Sequence, residues 1–366
     1  MHYRRVCLES FGYTLPEEVV TTAELERRLA PLYERLRLPE GRLELMTGIR
    51  ERRFFPRGTR PSMVSIESAR KAVAASGIDP RQFGALFHGS VCRDFLEPAT
   101  ACRVHHGVAL PNNAMILDVS NACLGILNGM VQVANMIELG QIRAGIVVGT
   151  ECGRELVENT IAQLNDDLSL TRDSVKHSIA SLTIGSASVA VVLCDEGLSH
   201  TGNRLTTAVV HCDTSQHDLC QSRGLETIMQ TDSEVLMRRG VAAGAETFRR
   251  FLDAAGWERT EIDRTCCHQV GVAHRKLLFE TLGLDPTIDF ATVETLGNTG
   301  AAALPVTMAL ALEQGRLQPG HRVALLGIGS GINCLMLAAE WQTARMTSGG
   351  DEGATSTAST LVSATG

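Results

Sequence analysis

The sequence has few aromatic residues and no excess of positive charge. Phenylalanine, tryptophan and tyrosine together make up 4% of the 366 residues, and the formal net charge at pH 7 is −7. Nucleic-acid-binding proteins use basic surfaces to neutralise phosphates and aromatic side chains to stack on bases. The scarcity of both features argues against a nucleic-acid partner.

Long apolar segments and paired cysteines are lacking as well. No uncharged apolar run reaches about 18 residues, so we expect no membrane span. The 11 cysteines form no Cys-x-x-Cys pairs, which argues against a zinc site and against a thioredoxin-type motif. The first ten residues, MHYRRVCLES, lack the apolar core of a signal peptide. We therefore expect a cytoplasmic protein without a disulfide framework.

One stretch, residues 116–151, organises the rest of the chain. Its pattern predicts a buried strand, a turn that carries Cys123, a long apolar helix and a second buried strand. The turn is flanked by Asn121 and Gly125, residue types that suit a tight strand-to-helix connection. The unpaired N–H groups and the dipole at a helix N-terminus favour a thiolate. We therefore predict that Cys123 is a nucleophile with a lowered pKa, the alternative being a packed core cysteine.

An internal repeat indicates two fused halves. Glu138-Leu-Gly precedes a glycine and an apolar strand, and Glu313-Gln-Gly does the same at an offset of 175 (313 − 138). The same offset carries Cys123 to Asn298, which lies in a turn before the second long apolar helix. Two strand-rich units of one design predict a tandem α/β architecture. We place the halves at residues 1–197 and 198–345 and expect residues 346–366 to be a disordered tail.

The second half supplies two polar partners for Cys123. His268 follows an apolar strand, and Asn298 lies in a helix-entry turn, where a simple N-cap is the alternative role. Ligands of α/β sheets bind beyond the carboxyl ends of the strands, so we expect both side chains on the same face as Cys123. An imidazole and an amide can both donate hydrogen bonds to a carbonyl oxygen that gains charge.

A glycine-rich strand end supplies backbone contacts. The segment GIGSG at 327–331 lacks the lysine and the spacing of a phosphate loop. We expect its backbone at Gly329 and Ser330 to approach the bound substrate and one of its N–H groups to join that of Cys123 in an oxyanion hole. Arg275 is a candidate for a CoA phosphate, although a basic residue of this kind more often lies on a solvated helix face.

The chain resembles the thiolase-fold condensing enzymes, and within them the ketoacyl synthase III branch. The matching motifs are TGIRERRF (47–54), DVSNACLGILNGM (118–130), HQVG (268–271), GNTGAAALP (297–305) and GIGSG (327–331). The resemblance implies a five-layered α/β/α/β/α fold, a homodimer, acyl transfer to Cys123, and binding of the second thioester by His268 and Asn298. It also assigns the oxyanion hole to the N–H groups of Cys123 and Gly331.

The segment RDFLEPATA (93–101) distinguishes branches of this family. Glu97 stands where chain-priming synthases typically have an apolar or aromatic residue, a pattern that looks like the OleA family of head-to-head acyl-CoA condensing enzymes. There the equivalent glutamate reaches in from the partner subunit and acts as the general base. Condensing two plain acyl thioesters requires removal of an α-proton, whereas decarboxylation needs no such base. The alternative for Glu97 is an exposed loop residue.

The resemblance therefore implies a non-decarboxylative Claisen condensation of two fatty acyl-CoA molecules in lipid metabolism, such as olefin or ketone biosynthesis. The runner-up is a decarboxylative 3-oxoacyl-ACP synthase III that extends an acyl-CoA primer with a malonyl thioester. We expect no metal and no cofactor beyond the CoA thioester substrates. An acyl carrier protein and downstream lipid-pathway enzymes stay open as partners.

Overall fold

The computed structural model describes residues 1–222, 229–343 and the backbone of 348–349. Helices and strands are numbered in chain order. The helices are α1 (Thr22–Arg28), α2 (Ala30–Leu36), α3 (Arg42–Thr47), α4 (Pro61–Ser76), α5 (Thr100–Val108), α6 (Gly125–Glu138), α7 (Arg154–Asp166), α8 (Ile179–Leu182), α9 (Ser233–Ala255), α10 (Val272–Leu282), α11 (Val293–Leu296) and α12 (Ala303–Glu313). The strands are β1 (Val6–Thr14), β2 (Glu18–Thr21), β3 (Glu51–Phe54), β4 (Phe83–Gly89), β5 (Met115–Val119), β6 (Ala144–Glu151), β7 (Ala187–Asp195), β8 (Arg204–Cys212), β9 (Cys220–Gln221), β10 (Gln230–Thr231), β11 (Arg264–Cys267), β12 (Arg322–Gly329), β13 (Asn333–Glu340) and β14 (Ser348–Gly349).

The main sheet repeats one strand order in its two halves. The first half runs β5-β4-β6-β7-β1 and the second β11-β12-β13-β8. In the first half β4 pairs parallel with β6, and β6–β7 and β7–β1 are antiparallel. In the second half β11 pairs parallel with β12, and β12–β13 and β13–β8 are antiparallel. The place of β5 is taken in the second half by a parallel bridge between Thr265 and Asp289. The repeat at an offset of about 175 residues is therefore a repeat of topology.

Helices form three layers around the two half-sheets. Apolar residues of α6 and α12 pack in one core cluster with residues of β1, β7, β12 and β13. The outer face of the first half-sheet is covered by α4 and α5, and that of the second by α9 and α10. The central helices are apolar over most of their surface because both half-sheets bury them. The predicted five-layered α/β/α/β/α fold is confirmed.

The predicted boundary at 197/198 lies in the connection between β7 and β8. The predicted tail, 346–366, lies outside the described residues except at Ser348–Gly349, whose backbone pairs with β1. In the described part of the chain, no helix has the length and apolar character needed to cross a bilayer.

Candidate active site

Cys123 lies in a strained turn between β5 and α6. Ala122, directly before it, has φ of 44°, which non-glycine residues rarely adopt. The turn is closed by the backbone N–H of Leu124, which donates to the carbonyl of Asn121 at 2.9 Å. Such local strain concentrates at functional sites, because surrounding structure must hold the conformation in place. Here the turn presents Cys123 at the start of α6, as the sequence predicted.

Close backbone packing holds this turn against both half-sheets. A Cβ atom on Gly89, at the end of β4, would lie 2.6 Å from the carbonyl carbon of Gly125 in α6. On the other side, a Cβ on Gly329 would lie 3.0 Å from Cγ of Leu124 and 3.7 Å from Cβ of Cys123. The end of β12 therefore contacts the cysteine turn directly. The predicted approach of Gly329 and Ser330 to the bound substrate stays a prediction.

Three asparagines link the cysteine turn to the glycine-rich turn between β12 and β13. Asn121 donates from Nδ2 to Oδ1 of Asn128 at 2.7 Å, and Asn333 donates from Nδ2 to Oδ1 of Asn121 at 3.4 Å. The same Nδ2 of Asn333 donates to the carbonyl of Ser330 at 3.2 Å. Sequence reasoning missed Asn333, which lies in no motif, and also the role of Asn128, which lies in the cysteine motif at 118–130. Their bonds set the position of Ser330 and Gly331 relative to Cys123.

The expected lowering of the Cys123 pKa is wrong for this resting site. Burial raises the pKa of the Cys123 thiol to about 12, and electrostatic interaction with the neighbouring Cys220 and Glu151 acts in the same direction. The backbone N–H groups of Ser330 and Cys123 act in the opposite direction but do not offset the desolvation. The helix N-terminus is present, as predicted, but removal of water from the thiolate is the larger effect.

His268 lies at the end of the strand beside β12. Its backbone N–H donates to the carbonyl of Leu326 at 3.0 Å, and the side chain is buried. Neither ring nitrogen has a hydrogen-bond partner among the described residues. Burial, and secondarily His274, lower the pKa of His268 to about 3. The imidazole is therefore neutral, with one nitrogen able to donate and the other able to accept.

The side chain of Gln269, next to His268, binds the backbone of the segment that precedes α11 and Asn298. Its Oε1 accepts hydrogen bonds from the backbone N–H groups of Thr292 and Val293, both at 2.8 Å. Its Nε2 donates to the carbonyl of Phe290 at 3.0 Å. One buried amide thus fixes where α11 begins, and α11 leads directly into the turn with Asn298. The glutamine of the HQVG motif therefore has a structural role, which is to hold the segment before α11 beside His268.

Asn298 lies in the turn between α11 and α12. Its Oδ1 accepts a hydrogen bond from the N–H of Gly300 at 3.0 Å, and its backbone pairs with Thr183 and Gly185. The N-cap role considered as the alternative is not formed, because Thr299 and Ala302 occupy the N-cap positions of the 3₁₀ turn and of α12. The Asn298 side chain closes the turn before them instead. Because an N–H must face oxygen, the bond also identifies the amide rotamer and leaves the two Nδ2 protons as the available donors.

Glu151 is a member of the site that sequence reasoning missed. It ends β6, is 5% exposed, and its charge acts on Cys123. Its Oε1 accepts from the N–H of Val91 at 3.1 Å and from that of Ala301 at 3.2 Å. The available signal was a carboxylate at the end of an otherwise apolar strand, IVVGTE.

Glu97 lies apart from these residues on the same chain. It is exposed at the tip of the loop between β4 and α5, beside Phe95 and Leu96, which are 49% and 93% exposed. The base of the loop is anchored, because Asp94 accepts from the N–H and the hydroxyl of Ser62 at 2.9 and 2.6 Å. This is the exposed-loop placement considered as the alternative, and it also suits a side chain that serves another subunit.

Arg275 is engaged within the chain. Its Nε donates to Oδ2 of Asp289 at 2.6 Å, and an Nη donates to the carbonyl of Pro286 at 2.9 Å. The Asp289 side chain is fully buried, so this ion pair ties α10 to the neighbouring bridge. The pair competes with the predicted phosphate contact, which stays a prediction. Within residues 1–222 and 229–343, no three metal-binding side chains come together.

Two family models match the two halves. The N-terminal domain of thiolase matches residues 45–155, and the C-terminal domain of 3-oxoacyl-[acyl-carrier-protein] synthase III matches residues 252–341. The first match contains Cys123 and Glu97, and the second contains His268 and Asn298. The predicted relationship to thiolase-fold condensing enzymes of the synthase III type is confirmed.

Two bacterial acyl-CoA:acyl-CoA alkyltransferases resemble the chain over almost their whole length. The protein from Shewanella oneidensis is 43% identical over 352 residues, and the one from Xanthomonas campestris is 32% identical over 341 residues. Each alignment covers 93% of this chain and 100% of the relative. Beta-ketoacyl-[acyl-carrier-protein] synthase III 1 of Bacillus cereus is 28% identical over 332 residues, with 90% of this chain and 97% of the relative covered.

Crystal structures of Xanthomonas campestris OleA match with a TM-score of 0.89 at 31% identity, covering 93% of this chain and 98–99% of theirs in two of them. They include forms in which a glutamate or a cysteine is replaced. Those two residues are 26 positions apart, as are Glu97 and Cys123 here (123 − 97). With these likenesses over nearly its full length, the chain belongs to the acyl-CoA:acyl-CoA alkyltransferase family of thiolase-fold condensing enzymes.

Proposed function

We propose that this protein joins two fatty acyl-CoA molecules head to head in a non-decarboxylative Claisen condensation. The observation that carries this proposal is the buried, neutral His268, whose ring nitrogens have no partner among the described residues. An unpaired buried polar group is costly, so its retention indicates a ligand that supplies the missing bond. A thioester carbonyl is such a ligand.

In the first half-reaction Cys123 becomes acylated. The sulfur attacks the thioester carbonyl, a carbon–sulfur bond forms to Cys123, the bond to CoA breaks, and the thiol proton leaves on CoA. The oxygen that gains charge is stabilised by backbone N–H groups, for which Cys123 and Gly331 are the candidates. Because the resting thiol has a raised pKa, this step needs the entering substrate or His268 to assist proton removal.

In the second half-reaction a carbon–carbon bond forms. The carbonyl of the second acyl-CoA accepts hydrogen bonds from His268 and Nδ2 of Asn298, which stabilise its enolate. Glu97 takes the α-proton, the α-carbon attacks the acyl carbon on Cys123, and the bond to sulfur breaks. The proton returns to the Cys123 thiolate. The product is a 2-alkyl-3-oxoacyl-CoA, which hydrolysis converts to the free acid.

A homodimer is part of the proposal, because Glu97 lies on the surface of its own chain. Two exposed apolar neighbours, Phe95 and Leu96, accompany it at the loop tip. Exposed apolar groups of this kind gain free energy when a partner covers them. Insertion of the tip into the partner's site would bring the Glu97 carboxylate to the acyl-CoA bound there.

A decarboxylative synthase III is the second candidate function. The match of residues 252–341 to the C-terminal domain of synthase III favours it. Such an enzyme makes its carbanion by loss of carbon dioxide from a malonyl thioester and has no need of a base for an α-proton. Glu97 would then have no part in the chemistry.

One experiment separates the two functions. The purified protein is incubated with myristoyl-CoA alone, and the products are identified by mass. We expect a condensed product that carries both acyl chains, together with free CoA. In a parallel reaction with carboxyl-labelled malonyl-CoA we expect no labelled carbon dioxide. Release of label, with no condensed product from myristoyl-CoA alone, would establish the synthase III function instead.

A further inference from the structure

Glu151 connects two segments that lie far apart in sequence. Its Oε1 accepts hydrogen bonds from Val91 and from Ala301, at 3.1 and 3.2 Å, and these donors are 210 residues apart (301 − 91). Its Oε2 accepts a longer bond from the N–H of Cys92 at 3.4 Å. Val91 and Cys92 begin the loop that carries Glu97, and Ala301 follows the turn that carries Asn298. One oxygen atom thus touches both halves of the chain.

The turn with Asn298 also packs directly on this side chain. A Cβ atom on Gly300 would lie 3.1 Å from the carboxyl carbon of Glu151. On the other side, the hydroxyl of Ser90 donates to the carbonyl of Thr150 at 2.8 Å, which brings the loop to the end of β6. Movement of Glu151 would therefore displace the Asn298 turn and the base of the Glu97 loop together.

The charge of Glu151 has an electrostatic cost. In the described part of the chain no basic side chain forms an ion pair with it, and burial raises its pKa. Its charge also raises the pKa of Cys123, which opposes thiolate formation. An apolar side chain would fill the same space without either cost. An apolar residue could not accept the hydrogen bonds from the backbone N–H groups of Val91, Cys92 and Ala301.

We propose that Glu151 is a positioning residue that holds the base of the Glu97 loop and the Asn298 turn in fixed relation beside Cys123. The inference rests on the proposed function, since it matters only if Asn298 and Glu97 act in the condensation step. Acylation of Cys123 uses neither residue. The two half-reactions should therefore depend on Glu151 to different degrees.

Two variants separate the effect of the length of the Glu151 side chain from the effect of its charge. Glu151→Gln keeps an oxygen at the position of Oε1 and removes the charge, whereas Glu151→Asp keeps the charge and shortens the side chain by one methylene. Acylation is followed by intact mass after one brief exposure to myristoyl-CoA, and condensation by product formation. For Glu151→Asp we expect a loss of about tenfold or more in condensation, with acylation changed less than about threefold, because small misplacements of reacting groups are costly. Glu151→Gln should keep condensation within about threefold of the wild type.

Glu26→Asp is a matched control. Glu26 is also buried and accepts backbone hydrogen bonds from Gly41 and Leu43, both at 2.7 Å, but neither donor lies in the site. This variant should lower the melting temperature without changing the ratio of condensation to acylation. If Glu151→Asp fails to fold, Gly300→Ala is used. Its methyl group would push against Glu151, and its left-handed backbone (φ 54°) would be strained, so both effects should displace the Asn298 turn and produce the same selective loss.

Three results would overturn the inference. The first is an equal loss of both half-reactions in Glu151→Asp, which indicates general destabilisation. The second is a loss in Glu151→Gln as large as that in Glu151→Asp, which assigns the effect to charge. The third is full condensation activity in the shortened or Gly300→Ala variant. Failure of the proposed function is separately visible, because the wild-type protein would then form no condensed product.

Discussion

The N–H of Gly300 donates to Oδ1 of Asn298 at 3.0 Å, so the amide of Asn298 is oriented by its own turn. The oxygen that closes the turn and the proposed donor to substrate are different atoms of one side chain. Two substitutions separate them, because serine supplies a turn-closing oxygen without the amide donor and alanine supplies neither.

We expect Asn298→Ser and Asn298→Ala to lower the condensation rate by a similar factor, about 10²–10³, as for loss of one oxyanion donor. Only Asn298→Ala should also lose about 1 kcal/mol of unfolding free energy, since only it lacks an oxygen that accepts the hydrogen bond from Gly300. Condensation kinetics and urea unfolding measure the two effects. Wild-type condensation in Asn298→Ser would show that Nδ2 has no part in the reaction.

The raised pKa of Cys123, about 12, predicts slow alkylation of the resting protein. Since the thiolate is the nucleophile, the rate with iodoacetamide should rise about tenfold per pH unit from pH 7 to 10. The modified peptide that contains Cys123 is quantified by mass spectrometry, which separates it from the other cysteines. A rate that levels off near neutral pH would mean that the helix N-terminus outweighs desolvation after all.

Mixing of inactive chains tests whether Glu97 serves the partner's site. Cys123→Ala and Glu97→Ala chains should each be inactive in condensation, for lack of a nucleophile and of a base. If the two are unfolded and refolded together, random dimers would regain about a quarter of the wild-type activity, because each mixed dimer has one complete site. Glu97→Ala alone should still acylate Cys123. No recovery in verified mixed dimers would place Glu97 outside the partner's site.

Buried His274 predicts a loss of stability on acidification. Burial lowers its pKa to about 4, so below the unfolded value of about 6.5 the unfolded chain binds a proton that the folded chain does not. Its stabilising contribution is complete above about pH 6.5 and is lost as the pH falls toward 4, by about 1.4 kcal/mol per pH unit.

His274→Gln removes that group and should reduce the fall in unfolding free energy between pH 6.5 and 5.5. Urea unfolding at the two pH values measures the difference. His2→Gln is the control, because it makes the same substitution at an exposed histidine. An identical pH dependence in His274→Gln and the wild type would mean that His274 is protonated in the folded state.

The repeat explains why much of the fold was predictable. Apolar runs, glycine turns and helical spacing alternate in the same order in both halves. These patterns arise because each strand or helix is buried on one face or on two, which requires apolar residues at those positions. Hence β5, α6 and β6 were predicted with small errors at their ends. The expectation that the first of these strands is buried is wrong, because β5 lies at the edge of the sheet and is only partly covered. End residues depend on local geometry, as at α1, where the hydroxyl of Thr21 caps the helix by accepting from the N–H of Glu24.

The site was predictable only where a side chain stands in a motif. Cys123 and His268 follow the ends of β5 and β11, whereas Asn298 lies between α11 and α12, in a turn that packs on Glu151 at the end of β6. Glu151 and Asn333 act through hydrogen bonds to segments far away in sequence, which no spacing rule reveals. The ion pair of Arg275 with Asp289 was hidden for the same reason.

By itself, the sequence determined the duplicated α/β architecture, the positions of the cysteine, histidine and asparagine, and the family, because these depend on local patterns and residue types. The tertiary structure decided the protonation states of Cys123 and His268 and the contacts between segments that are far apart in sequence. Burial outweighed the helix dipole at Cys123, kept His268 neutral, and joined the two halves through Glu151. These quantities depend on which atoms exclude water and which N–H groups meet in space, and both are settled only when the chain folds.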